Sequence, residues 1–137
     1  MDIQKFHRTV PLHPAHKPYL VTQDPNGGFW IDHCFCFGAS PASSNSGMIS
    51  AAVRDIWHAR GVYPVAKIED DLAVFRTPKP DGRYTYDRKS ALALIEQLGV
   101  PWHSPDKKGD PFFILEFIFI GLQWDIPRQR VSLPEEK

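Results

Sequence analysis

The chain has 137 residues, a length that suits one domain, and its 42% hydrophobic content excludes an intrinsically disordered chain. Lys plus Arg and Asp plus Glu stand at 16 each, so net charge does not point to a nucleic-acid partner. It does not exclude one, because a local groove and bound metals suffice for phosphate contacts on a neutral protein.

In chain order, Asp2-Ile3 reads as the end of a short strand, followed by a Pro-punctuated loop through Pro14. Tyr19–Gln23 and Phe29–His33 flank Asp24-Pro25-Asn26-Gly27-Gly28, turn chemistry that predicts a β-hairpin. Phe37–Gly47 is a small-residue loop, and the spacing of Ile49, Val53, Ile56 and Trp57 predicts a helix over Met48–Arg60 that Gly61 stops. Val62–Ile68 and Leu72–Phe75 are apolar strands around Glu69-Asp70-Asp71. After a polar loop, Asp87 caps a second helix with Ala91, Leu92, Leu94, Ile95 and Leu98 on its buried face and Gly99 at its end. Phe112–Trp124 predicts one or two strands and Val131–Leu133 a last one. The expected fold is α+β, an antiparallel sheet with two main helices on one face, formed by a single domain over residues 1–137.

Glu116 breaks the longest apolar run, which is too short to cross a bilayer, and no signal peptide is visible, so no membrane association is expected. Cys34 and Cys36 are too close to bridge within one strand. A reducing, intracellular compartment is the default expectation, with nucleus and cytoplasm left open. His33-Cys34-Phe35-Cys36 lacks the second ligand pair of a structural zinc site. His7, His13 and His16 read as surface loop histidines, Trp57 as core, and Trp102 as the tryptophan best suited to an exposed, base-stacking role.

The chemistry centres on Asp70-Asp71. An acidic strand-to-strand turn is commonly just solvated. With a third carboxylate from a neighbouring strand end, for which Asp2 is the candidate, it acquires the donors for two divalent ions, the arrangement used in phosphoryl transfer. All-oxygen ligands favour Mg2+ or Mn2+.

Several segments resemble, in order, the palm motifs of reverse transcriptases, most closely those of retroelements that encode a tyrosine recombinase. Asp2-Ile3-Gln4-Lys5-Phe6-His7-Arg8 with Pro11-Leu12-His13-Pro14 is similar to the first motif. Phe29-Trp30-Ile31-Asp32, then Phe37-Gly38 and the serine-rich loop, resemble the second. Ile68-Glu69-Asp70-Asp71 resembles the aromatic-x-Asp-Asp turn, with Ile68 in the aromatic position. Leu98-Gly99-Val100 through Pro105-Asp106-Lys107 resembles the next motif. Phe119-Ile120-Gly121-Leu122 resembles the Phe-Leu-Gly-Ile hairpin, and Leu133-Pro134-Glu135-Glu136-Lys137 the segment after it.

The resemblance implies the palm of an RNA-directed DNA polymerase, transferring a nucleotide from a deoxynucleoside triphosphate to a primer 3′ end on a template. It implies Asp2, Asp70 and Asp71 as catalytic metal ligands for Mg2+ or Mn2+. Phe6 and His7 would face the sugar, Gly38 and Ser40 would lie along the template and incoming base, and Lys107 would protonate the leaving pyrophosphate. The family's usual aromatic sugar gate is His7 here, and the proline of the second motif is displaced to Pro41. The fingers and thumb that grip the family's substrates have no counterpart in residues 1–137, so the isolated chain is expected to be inactive unless those subdomains or a partner chain are supplied. The rival expectation is a catalytically inactive palm-like remnant serving as an interaction or nucleic-acid-binding module. A third is an unrelated α+β binding domain, preferred if Asp2 folds far from Asp70.

Overall fold

The computed structural model describes residues 1–36, 38–39, 41–108 and 113–135. Two 3-10 segments, Phe6–Thr9 and Pro14–Tyr19, precede a hairpin of β1 (Val21–Gln23) and β2 (Phe29–Ile31). Then come α1 (Ala42–Ala59), β3 (Val65–Ile68), β4 (Asp71–Val74), α2 (Arg88–Ala93) and a 3-10 turn at Glu96–Leu98. β5 (Glu116–Phe119), β6 (Leu122–Asp125) and β7 (Arg130–Ser132) close the chain. The fold is mixed α+β. Its antiparallel pairing is divided among three small sheets, β1-β2, β3-β4 and β5-β6-β7, and not gathered in one.

Local chemistry explains the first hairpin. The Asp24 carboxylate accepts hydrogen bonds from Asn26 N (2.7 Å), Gly28 N (3.1 Å) and Trp30 Nε1 (2.8 Å). These bonds, that of Trp30 foremost, hold its pKa below the ordinary carboxylate value. Gly27 takes φ 86°, a conformation that favours glycine.

Helix α1 begins at Ala42, six residues before the Met48 that hydrophobic spacing alone indicates. Serines usually favour caps and turns because their hydroxyls compete for backbone groups. Here tertiary partners take those hydroxyls. Ser46 is fully buried with its Oγ 3.3 Å from His7 Nδ1, and Ser50 is fully buried, donating to Gly47 O and to Glu69 O. Gly61, at φ 80°, follows the helix.

Asp87 caps α2 through a reciprocal capping box with Ser90. The helix itself is short, Leu98 is 41% exposed and not on the buried face, and Gly99 at φ 60° ends the following turn.

The core contains Ile3, Phe6, Val53, Trp57, Val62, Leu72, Ala91 and Ile95. Trp57 is fully buried and donates Nε1–H to Ala91 O at 2.7 Å, tying α1 to α2. Trp102 corrects the sequence expectation of an exposed ring. It is half-buried and stacked on Trp57, centroids 6.2 Å apart at 16°, because residues 101–103 pair with the chain start. Among the described residues, no helix is long and apolar enough to cross a membrane.

Candidate metal centre and its surroundings

The first residues thread between β4 and residues 101–103. Leu72 N donates to Met1 O (2.9 Å), His103 N to Asp2 O (3.0 Å) and Gln4 N to Pro101 O (2.6 Å). Antiparallel bridges join Asp2 to Asp71 and Ile3 to Trp102. Ile3, 1% exposed, anchors this segment in the core, while Asp2 on the opposite side of the strand is carried to β4. Asp2 is therefore not distant from the acidic turn; it sits beside it.

That turn is a two-residue connection, Glu69-Asp70, between the paired Ile68 and Asp71. Glu69 has φ 47°, as the mirror-image turns matching strand twist require. The Ser50 hydroxyl donates to Glu69 O, so α1 holds the acidic turn. This support was not legible beforehand, because Ser50 is one of several similar serines.

Burial and like charge dominate the electrostatics. Desolvation raises the Asp71 pKa, and the charges of Asp70 and then Asp2 raise it further, against the opposing Lys108. Asp2 is only 6% exposed, and its Oδ2 forms an ion pair with the Lys108 ammonium. The hydrogen bond to Asp2 raises the Lys108 pKa, partly offset by desolvation. The other Asp2 oxygen, Oδ1, has no hydrogen-bond partner among the described residues, and His103 Nε2 stands 3.5 Å from it.

The donor chemistry suits a hard divalent cation: carboxylate oxygens, one of them buried and lacking a donor, with an ammonium already standing as counter-cation. Among the described residues, no group of three or more His, Cys, Asp and Glu side chains is gathered closely enough to hold a metal.

The remaining expected site residues are dispersed. Phe6 belongs to the core, and His7, expected on a surface loop, is instead buried, 6% exposed, because its ring turns toward Ser46 of α1. Gly38 has φ 86°, with open space around a hypothetical Cβ among the described residues. Ser40 lies outside the described residues. Lys107 is exposed, its amide closing a turn on Ser104 O. Its neighbour Lys108 is the lysine that reaches the acidic corner. Sequence reasoning passed over His103 altogether; its only signal was its place beside Trp102.

The corner opens onto a cavity of about 840 Å³, lined there by Asp2, Asp71 and Lys108. No family model, curated protein or solved structure matches the chain.

Proposed function

We propose that this chain is the palm portion of an RNA-directed DNA polymerase, acting in nucleotidyl transfer to a primer 3′ end. The observation that carries the reading is the Asp2–Asp71 bridge, which juxtaposes the first-motif aspartate and the Asp-Asp turn. These are the two elements whose resemblance to reverse transcriptases demands proximity. Asp2, Asp70 and Asp71 would hold Mg2+ or Mn2+, and the bound metal would activate the primer hydroxyl and neutralise charge on the leaving pyrophosphate. This chain's own contribution is to bring Asp2 and Asp71 onto paired strands despite their repulsion, with Asp70 in the turn next to them. Ser50 holds the turn, and Ile3 and Leu72 anchor the strands beneath it.

A second reading, a palm-like module that binds nucleic acid without catalysis, is favoured by Lys108 pairing with Asp2. Manganese titration separates the two. The polymerase reading expects paramagnetic broadening at Asp2, Asp70 and Asp71, weakened in Asp70→Asn. It also expects metal-dependent primer extension once fingers and thumb are supplied, abolished in Asp70→Asn/Asp71→Asn. No broadening at these residues, or extension equal in the double variant, would overturn it.

A further inference from the structure

The same cavity carries a second feature that does not depend on the acidic corner. Arg76 and Arg88 also line it, and the Nε of each is buried without a hydrogen-bond partner among the described residues. A buried donor left unsatisfied is costly, more so on a charged group, and native folds keep few of them. Arg76 is clasped between aromatic faces, its guanidinium carbon 3.9 Å from the Tyr84 centroid and 4.0 Å from that of Phe113, and it donates Nη1–H to Tyr86 O at 3.0 Å. Asp87 feels the Arg76 charge, yet among the described residues neither guanidinium forms an ion pair. The wall beside these two cations is apolar, contributed by Leu72 and Val74 of β4 and by Phe117, Phe119 and Ile120 at the β5-β6 hairpin. A volume of about 840 Å³ falls in the range of small-molecule sites, which are apolar pockets with a few converging polar groups.

We propose that this cavity binds a single-chain amphipathic anion, an alkyl chain ending in one carboxylate or phosphate. The planar Nε–Nη edge of a guanidinium matches either head group in bidentate fashion. Because the Arg88 Nε is buried, binding through this edge requires the Arg88 side chain to turn into the cavity, and Arg76 supplies a second positive charge. The apolar wall takes the chain, and burial of its methylenes provides most of the affinity.

The test titrates the full chain with decyl phosphate, decanoate, decan-1-ol and inorganic phosphate, followed by calorimetry. EDTA is present throughout, so no metal bridges a head group to Asp2. The proposal therefore stands or falls separately from the polymerase reading. At least one decyl anion is expected to bind with 1:1 stoichiometry and at least tenfold more tightly than decan-1-ol. The better of the two identifies the head group, and inorganic phosphate alone is expected to bind far more weakly. Arg88→Gln should weaken the anion at least tenfold and leave the alcohol unchanged. Equal binding of anion and alcohol, inorganic phosphate matching decyl phosphate, no binding by either anion, or an Arg88→Gln variant as tight as wild type would each overturn it. Should Arg88→Gln fail to fold, nuclear Overhauser contacts from the ligand chain to Leu72, Phe117 and Ile120 in the wild type decide the matter, and their absence overturns the site.

Discussion

Replacing Lys108 by alanine tests the electrostatics of the acidic corner most directly. The Asp2 side chain is 7% exposed and that of Lys108 is 58% exposed, so the pair has one buried and one solvated end. Removing one partner of a fully buried pair costs about 3–5 kcal/mol, because a buried charge is left uncompensated. A fully exposed pair is worth about 0–1 kcal/mol. The half-solvated geometry lies between, and we expect a loss of about 1–2 kcal/mol in EDTA at neutral pH. For a chain of 137 residues the unfolding entropy is about 0.3 kcal/mol/K, so Tm should fall by about 5 °C. In an Asp2→Asn background the same substitution should cost almost nothing, since the charge that Lys108 compensates is gone. Saturating Mg2+ should at least halve the loss in the Asp2 protein, because the metal takes over the counter-charge. Urea unfolding of the four proteins, with and without Mg2+, measures all three expectations. An equal cost in the Asn background would refute the ion pair as the source of the effect. A cost unchanged by Mg2+ would refute metal binding at Asp2.

The Asp71 carboxyl has a folded-state pKa raised above 3.8, chiefly by burial, so the fold favours its protonated form. Its contribution to stability is full below the unfolded value and is lost as pH rises through the folded one. In EDTA, Asp71→Asn should therefore stabilise at neutral pH and remove the fall in stability that wild type shows as pH rises above 3.8, as unfolding from pH 3 to 7 will show. A variant less stable than wild type at pH 7 would count against this. The Ile120-Gly121 turn holds both residues at positive φ, 50° and 74°, and a β-branched side chain is poorly suited there. Ile120→Asn should raise stability by about 1 kcal/mol by denaturant titration, and a loss would mean that Ile120 makes compensating contacts at the cavity wall. Trp57→Phe removes the donor to Ala91 O inside the core and should cost about 1–3 kcal/mol beyond the change in volume. An unchanged Tm would show that water or a backbone shift satisfies that carbonyl.

What the amino-acid sequence determined by itself was local. The turn chemistry of Asp24 through Gly28 marks the β1-β2 hairpin, Asp87 and Ser90 write the capping box within four residues, and apolar strands on either side mark the acidic turn at Glu69-Asp70. In each case the interacting groups lie within a few residues, so composition and spacing carry the whole signal. Tertiary structure decided what depends on distant partners. The start of α1 at Ala42 follows from partners for Ser46 and Ser50 at His7 and Glu69, which no helical periodicity encodes. Trp102 leaves solvent because its strand pairs with Ile3, 99 residues earlier, and its ring meets Trp57. That Lys108 and not its neighbour Lys107 reaches Asp2 is a matter of backbone direction in a loop, which two adjacent, identical side chains do not encode. The position of Asp2 beside Asp71 was implied only by resemblance until the fold brought the two strands together, because pairing across 69 residues is set by burial of Ile3 and Leu72 and not by any local preference of Asp2 itself.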